Sequence, residues 1–220
     1  MAAPQRRRPG RPSAAASAET RERILRAACA RFALSGYDRA RNQEIAQAAG
    51  VTSAALYHYF DSKAALFAAA WGYGLALVLS AYRAAAAGGG GAVERLCRMV
   101  EANVALNRAH PGLADFLALA PVEARRDPEL GARVGALGAE VPALFAEVLA
   151  EGVARGELPA ELEVESAVHL IVAASYGLSW FRGLLPSREA HDAALRAFQA
   201  LLRGALLQRS GRAATEEDER

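Results

Sequence analysis

The sequence predicts an all-α protein, with a small N-terminal helical domain followed by a larger C-terminal one. Alanine and other apolar residues raise the hydrophobic content to 53%, while aromatic residues make up only 7%. Runs of β-branched residues are scarce, which disfavours sheet. Apolar residues recur three and four positions apart, and glycine or proline separates the segments in which they do so.

Residues 1–18 form a basic arm rich in proline, glycine, alanine and serine. Such a segment cannot bury enough apolar surface to fold alone, so we expect it to be disordered. Its Gly-Arg-Pro core offers two interpretations for Arg11: insertion into an A/T-rich minor groove, or membership of a solvated tail that attracts DNA nonspecifically. The polar tail 209–220 is also expected to be disordered.

Residues 19–63 are predicted to form three short helices. The first ends at Gly36, the second covers Asn42–Ala49, and the third covers Ser53–Tyr59 with Thr52 as its N-cap. Three residues, one of them glycine, separate the second and third helices. This spacing is typical of the helix-turn-helix, a DNA-binding motif.

Residues 64–208 are predicted to form a second domain. The expected helices are Lys63–Ala87, Ala92–Ala109, Leu113–Ala124, Pro128–Arg155, Val164–Leu184 and Arg188–Gln208. Within the first of them, Ala64–Tyr82 carries no formal charge and is long enough to span a membrane. Its many small residues favour a buried helix of a soluble protein, and a membrane-anchored helical protein is the alternative.

Charge is distributed unevenly along the chain. Met1–Lys63 holds eleven basic and five acidic residues, whereas Ala64–Arg220 holds fifteen and nineteen. A basic N-terminal third is typical of a module that binds a polyanion. Cys29 and Cys97 lack the spacing of a disulfide framework or a metal cage, which fits a cytoplasmic protein, and both are expected to be buried.

The third helix is expected to present one face to DNA. Leu56 and Phe60, four residues apart, point into the small core with the apolar residues of the first two helices. The opposite face then presents Ser53, Ala54, Tyr57 and His58. In a major groove, such a face contacts base edges with its N-terminal residues.

Three stretches of the sequence carry a resemblance to a known family. They are Ile45-Ala46, Ala49-Gly50-Val51-Thr52 and Leu56-Tyr57-His58-Tyr59-Phe60-Asp61-Ser62-Lys63, followed by Leu66. Together with the first helix and Gly36-Tyr37, they resemble the DNA-binding domain of the tetracycline-repressor (TetR) family over about residues 20–68.

The resemblance implies roles for individual residues. Thr52 would cap the helix and bond a phosphate, Ser53 and Ala54 would face bases, and His58 would contact the backbone or a base edge. Tyr57 and Tyr59 would contact the DNA backbone, and Lys63 would meet a phosphate at the N-terminus of the fourth helix.

The sequence departs from the family pattern at two places. The family often has a basic residue in place of Ser53, and hydroxyl residues in place of Ala40-Arg41 with an apolar residue in place of Asn42. Arg41 could then replace a phosphate contact by charge, and Asn42 could serve as the N-cap one residue late.

The resemblance also implies that the second domain binds an effector and forms a dimer through its last two helices. The candidate pocket residues are Trp71, Met99, Asn103, Phe116, Phe145, His169, Tyr176 and Trp180. The candidate dimer residues are Ala174, Gly177, Phe181, Ala194, Ala197, Phe198, Leu201, Leu202 and Ala205. Packing inside the chain is the alternative role for each of them.

The function that we expect is a cytoplasmic homodimer that binds a near-palindromic double-stranded DNA operator. It would act as a repressor that a small, largely apolar molecule releases from DNA. The alternative is a dimeric DNA-binding regulator without a ligand. Catalytic and metal-binding patterns are lacking in the sequence, so we expect neither an enzyme nor a metal or cofactor site.

Overall fold

The computed structural model describes residues 14–134, 138–181 and 184–204. Every regular element in this part of the chain is a helix, so the predicted all-α fold is confirmed. The helices are α1 (Ala14–Arg39), α2 (Asn42–Ala48), α3 (Ser53–Tyr59), α4 (Lys63–Ala86), α5 (Ala92–Ala109), α6 (Leu113–Arg126), α7 (Pro128–Val134), α8 (Glu140–Ala154), α9 (Val164–Phe181) and α10 (Arg188–Gly204). The predicted tail 209–220 and most of the predicted arm, Arg11 included, lie outside the described residues.

The predicted bounds differ most from the structure at two places. Helix α1 begins at Ala14, within the segment expected to be disordered, because the alanine-rich stretch 14–18 has a high helix propensity. The single helix predicted over Pro128–Arg155 is instead the pair α7 and α8. The sequence between this pair contains Gly135 and Gly138, and glycine has a low helix propensity.

The turns of the N-terminal region depend on two glycines. Gly36 has φ 73° and ψ 171°, which breaks the helical path within α1. Gly50, between α2 and α3, has φ 68°. Side chains disfavour positive φ, so glycine at these positions allows the chain to turn without strain.

Helix α4 lies at the centre of the molecule and packs against α1, α5, α6, α7 and α8. Among the described helices, it is the one long and apolar enough to cross a membrane, and half of its most apolar window is buried inside the protein. The core helix of a soluble protein has the same properties. Its packing therefore accounts for the uncharged stretch Ala64–Tyr82.

An aromatic cluster joins the N-terminal region to the rest of the protein. The ring centroid of Phe32 on α1 lies 4.9 Å from that of Phe67 on α4 and 5.9 Å from that of Phe116 on α6. All three side chains are fully buried. Direct packing therefore connects α4 and α6 to α1.

Candidate nucleic-acid interface and ligand cavity

Helix α3 is held to the protein by its predicted apolar pair. Leu56 is fully buried, and Phe60, directly after the helix, is 5% exposed. Both belong to the core that contains Ile24, Ile45 and the other apolar side chains of α1 and α2. The inward face of α3 is therefore as predicted.

The outward face of α3 forms what we call the reading surface: Thr52, Ser53, Ala54, Tyr57 and His58. Ala54, His58 and Tyr57 are exposed, whereas Ser53 is half-buried. The predicted cap is present, since Thr52 Oγ1 accepts a hydrogen bond from the Ala55 amide at 3.1 Å. This bond fixes the start of the helix that carries the surface.

Asn42 does not cap α2 as predicted. Arg41 occupies the N-cap position with extended backbone and no capping side-chain bond, while Asn42 is the first helical residue. The Asn42 amide instead donates to the Tyr57 hydroxyl at 3.2 Å. Asn42 thus restrains a ring of the reading surface from the neighbouring helix, a contact that sequence reasoning missed.

Tyr59 and Lys63 are less accessible than predicted. Tyr59 is half-buried, and its hydroxyl lies 3.2 Å from Ser17 Oγ on α1. The Lys63 ammonium donates to the Asp38 carbonyl at 2.9 Å and lies 4.7 Å from the centroid of the Tyr37 ring. Partial burial lowers the pKa of Lys63. An ammonium has three N–H donors, so two remain for a phosphate.

Exposed arginines surround the reading surface. Arg41 is exposed, as its predicted contact with DNA requires. Arg21 on α1 is a cation that sequence reasoning missed: its guanidinium carbon lies 5.5 Å from the centroid of the Phe60 ring, at the end of α3. The basic composition of residues 1–63 was the only signal for it.

A small cavity lies inside the second domain, between α4, α5, α6, α8 and α9. Its volume is about 20 Å³, enough for about one water molecule. The lining residues are Val78, Tyr82, Asn103, Asn107, Ala114, Leu117, Val141, Phe145, Val172, Ser175, Tyr176 and Ser179. Six of these twelve residues are apolar, and the other six, on α4, α5 and α9, carry an uncharged polar group.

Three of the eight predicted pocket residues line this cavity: Asn103, Phe145 and Tyr176. Trp71, Met99 and Phe116 are buried in the core and do not line this cavity. His169 and Trp180 are exposed on α9 and do not line the cavity either. The inward face of α9 is the row Ile171, Ser175 and Ser179. The helical period places His169 and Trp180 away from this row.

The exposed parts of α9 and α10 carry several apolar side chains. Phe181 and Leu201 are about half exposed, at 50% and 47%. Gly177 and Ala197 are exposed, and Ala174 and Ala194 are half-buried. These six predicted dimer residues are available to a partner.

Two predicted dimer residues are buried inside the chain. Phe198 and Leu202 belong to the core, and their neighbour Gln199 donates to the Cys97 carbonyl at 3.3 Å and to the Glu101 carboxylate at 2.7 Å. The apolar stripe of α10 is wide, so that one part of it packs against α5 and another part faces outward. The sequence alone does not show which of its residues belong to each part. Ala205 lies outside the described residues.

Cys29 and Cys97 are free and buried, as expected. Burial raises the pKa of Cys29 to about 12, which keeps this thiol protonated and unreactive near neutral pH. No group of three or more metal-ligating side chains occurs within residues 14–134, 138–181 and 184–204.

Two family models match the chain. The model described as bacterial regulatory proteins, tetR family, matches residues 24–70. The model described as tetracyclin repressor-like, C-terminal domain, matches residues 90–201, more than half of the chain. No curated protein sequence matches it.

Solved structures are similar over most of the length. The TetR family transcriptional regulator PfmR from Thermus thermophilus has a TM-score of 0.67 and 27% identity, covering 84% of this chain and 99% of its own. The fatty acid degradation regulator FadR from Bacillus halodurans has a TM-score of 0.73 and 24% identity, covering 84% and 98%. FadR from Bacillus subtilis, solved in complex with stearoyl-CoA, has a TM-score of 0.73 and 20% identity. The match covers 84% of this chain and 98% of the FadR chain.

Proposed function

The chain belongs to the tetR family of bacterial regulatory proteins, DNA-binding transcriptional regulators rather than enzymes, and from this premise we propose that it is a ligand-released repressor. In this proposal it works as a cytoplasmic homodimer on a near-palindromic operator. A small, largely apolar molecule that enters the cavity releases it from DNA. The observation that carries the proposal is the position of the cavity against α4 and α6, the two helices that also pack on α1.

The reading surface supports sequence-specific binding. Ala54 is small enough for contact with a thymine methyl group, and Tyr57 and His58 are exposed rings within reach of base edges or phosphates. The surface itself has little charge, so Arg41, Lys63 and arginines of α1 such as Arg21 supply the attraction to phosphate. Base choice and affinity thus come from different residues.

Apolar exposure on α9 and α10 supports a dimer of two copies of this chain. Among the described residues, five of the seven large hydrophobic side chains that are exposed follow position 164: Leu170, Trp180, Phe181, Leu184 and Leu201. Exposed apolar groups concentrated in one region are typical of an interface. A symmetric pair would place two reading surfaces about one DNA turn apart, roughly 34–36 Å, on a near-palindrome.

Helix α6 supports the coupling of the cavity to DNA binding. Its Leu117 and Ala114 line the cavity, and near its other end Glu123 accepts a hydrogen bond from the Tyr37 amide at 3.4 Å. Tyr37 in turn lies beneath the Lys63 ammonium at the start of α4. A displacement of α6 therefore reaches the segment that positions Lys63.

The small volume of the cavity supports a mechanism in which ligand binding changes the arrangement of the helices and so releases DNA. A space of about 20 Å³ admits only about one water molecule, so a larger ligand has to separate the surrounding helices. Such a ligand prefers the separated arrangement and shifts the population toward it. If that arrangement changes the spacing of the two reading surfaces, DNA is released. FadR from Bacillus subtilis, which has a similar fold, was solved in complex with stearoyl-CoA, a molecule whose acyl chain is long and apolar.

A fluorescence anisotropy titration tests the proposal. Labelled DNA from the region flanking the gene is compared with scrambled DNA, for the intact chain and for Tyr57→Ala. We expect tight binding to the flanking DNA alone, and a loss in Tyr57→Ala that is larger for this DNA than for scrambled DNA. Equal loss on both DNAs would mean phosphate contact without base readout.

A thermal-shift screen of apolar compounds then tests the ligand. Compounds that raise the melting temperature are added to the protein–DNA complex, and we expect at least one to reduce the anisotropy to that of free DNA. If every stabilising compound leaves the complex intact, or if none stabilises the protein, ligand release is wrong. DNA binding itself would be unaffected by that result.

A further inference from the structure

Tyr82 is a buried residue of the cavity wall, and no described residue forms a hydrogen bond with its hydroxyl. The side chain is 3% exposed and lines the cavity. Its ring stacks edge to face on Phe145, with centroids 5.3 Å apart, so the ring is held in place. Burial raises the pKa of Tyr82, and the hydroxyl stays a neutral donor and acceptor. Buried hydroxyls normally have partners, so this one is available to a bound molecule.

Polar groups of α5 and α9 form the other polar part of the wall. The amides of Asn103 and Asn107 donate to Ser179 Oγ at 2.7 and 3.1 Å, and Ser179 Oγ donates to the Ser175 carbonyl at 2.9 Å. These bonds use the full capacity of the Ser179 hydroxyl. Asn107, a residue only 4% exposed, uses its side-chain nitrogen in its bonds to Asn103 and Ser179, and its side-chain oxygen accepts none from the described residues. This oxygen can accept a hydrogen bond from a ligand.

The described residues of the cavity wall carry no charge. The lining consists of apolar and aromatic side chains, two asparagines, two serines and two tyrosines. An anion placed there would lose its hydration without gaining a cation as partner, which disfavours it strongly. A neutral group that donates or accepts hydrogen bonds meets no such penalty.

From these observations, and resting on the proposed function, we propose that the effector is an uncharged, largely apolar molecule whose neutral polar group bonds to Tyr82 and Asn107. A carboxamide, which both donates and accepts, fits this pair. The carboxylate of the same skeleton does not, because it lacks the donor for Asn107 and carries an uncompensated charge.

Isothermal titration calorimetry without DNA tests the ligand class. The probes are straight-chain and phenyl-substituted primary carboxamides, each compared with the carboxylate of the same skeleton. We expect the best carboxamide to bind at least about tenfold more tightly than its carboxylate. Equal or tighter binding of the carboxylates overturns the inference, and so does a series in which no carboxamide binds.

Matched variants locate the binding in the cavity. Tyr82→Phe removes only the free hydroxyl, and we expect it to weaken the best carboxamide about tenfold. Tyr73→Phe is the control, since the Tyr73 hydroxyl lies 3.4 Å from Glu22, outside the cavity, and this variant should bind as the unaltered chain does. Equal affinity in Tyr82→Phe and Tyr73→Phe overturns the inference.

Release of DNA is measured separately from ligand binding, so that the two proposals can fail independently. A carboxamide that binds but leaves DNA bound supports the ligand class and contradicts the proposed release. Release by anionic compounds that bind as tightly as the carboxamides supports the proposed release and overturns the ligand class.

Discussion

The reading surface is assembled from residues close together in the chain, whereas the cavity draws on five helices between residues 78 and 179. In the first, the cap of Thr52 and the bond from Asn42 to Tyr57 fix the geometry before any DNA is bound. In the second, the Tyr82 hydroxyl lacks a partner among the described residues and the space is nearly closed. This difference fits the proposed function, in which the DNA-binding surface is preorganised and the cavity is completed by its ligand.

The largest expected effect comes from removing the anchor of the reading surface. Leu56→Ala leaves a void in a fully buried position and should lower the free energy of unfolding by about 3 kcal/mol. Thermal denaturation measures this loss. Leu34→Ala is the matched control, because Leu34 is 77% exposed and the same substitution there should change stability by less than about 0.5 kcal/mol. Similar losses in both variants would contradict the packing of α3.

Loss of the Lys63 charge should weaken binding to all DNA. Lys63→Ala removes the proposed phosphate contact and the bond to the Asp38 carbonyl, so we expect about a tenfold loss on operator and scrambled DNA alike. In a plot of log affinity against log salt concentration, the slope should become shallower by about one. Arg133→Ala, in an exposed pair with Glu129 on α7, is the control. An unchanged salt dependence in Lys63→Ala would exclude Lys63 from phosphate contact.

A smaller and more selective effect is expected from Asn42. Asn42→Ala frees the Tyr57 ring, and one lost hydrogen bond corresponds to about a fivefold weaker operator complex, with little change on scrambled DNA. Gln43→Ala alters an exposed neighbour on α2 and should leave both affinities unchanged. Were operator and scrambled DNA affected equally, Asn42 would not position a base-reading residue.

Local patterns predicted the bounds, cap and buried face of α3 well, because a cap, a glycine turn and a four-residue apolar spacing are short-range properties. Helix α3 has the predicted bounds, with Thr52 bonded as its cap. The Asn42–Tyr57 contact was missed because it joins two helices, and spacing within one helix carries no information about it.

The cavity could be predicted only in part. Asn103, Phe145 and Tyr176 were found as polar or aromatic residues on apolar helices, but the same rule selected His169 and Trp180, which are exposed. Tyr82 and Ser179 were missed, since their role arises from the convergence of α4 and α9 in space. Phe198 and Leu202 were misassigned because an apolar stripe does not reveal whether the chain or a partner covers it.

The central claim is that the volume of the cavity controls DNA binding through α6. Ala114→Phe places a ring in the cavity wall of α6 and should separate the helices as a ligand does, whereas Asp115→Phe adds the same ring at an exposed position. Operator affinity is measured by fluorescence anisotropy without ligand, on variants whose helical circular dichroism matches the unaltered chain. We predict about a tenfold loss in Ala114→Phe and none in Asp115→Phe. Unchanged operator affinity in a folded Ala114→Phe variant would contradict the account.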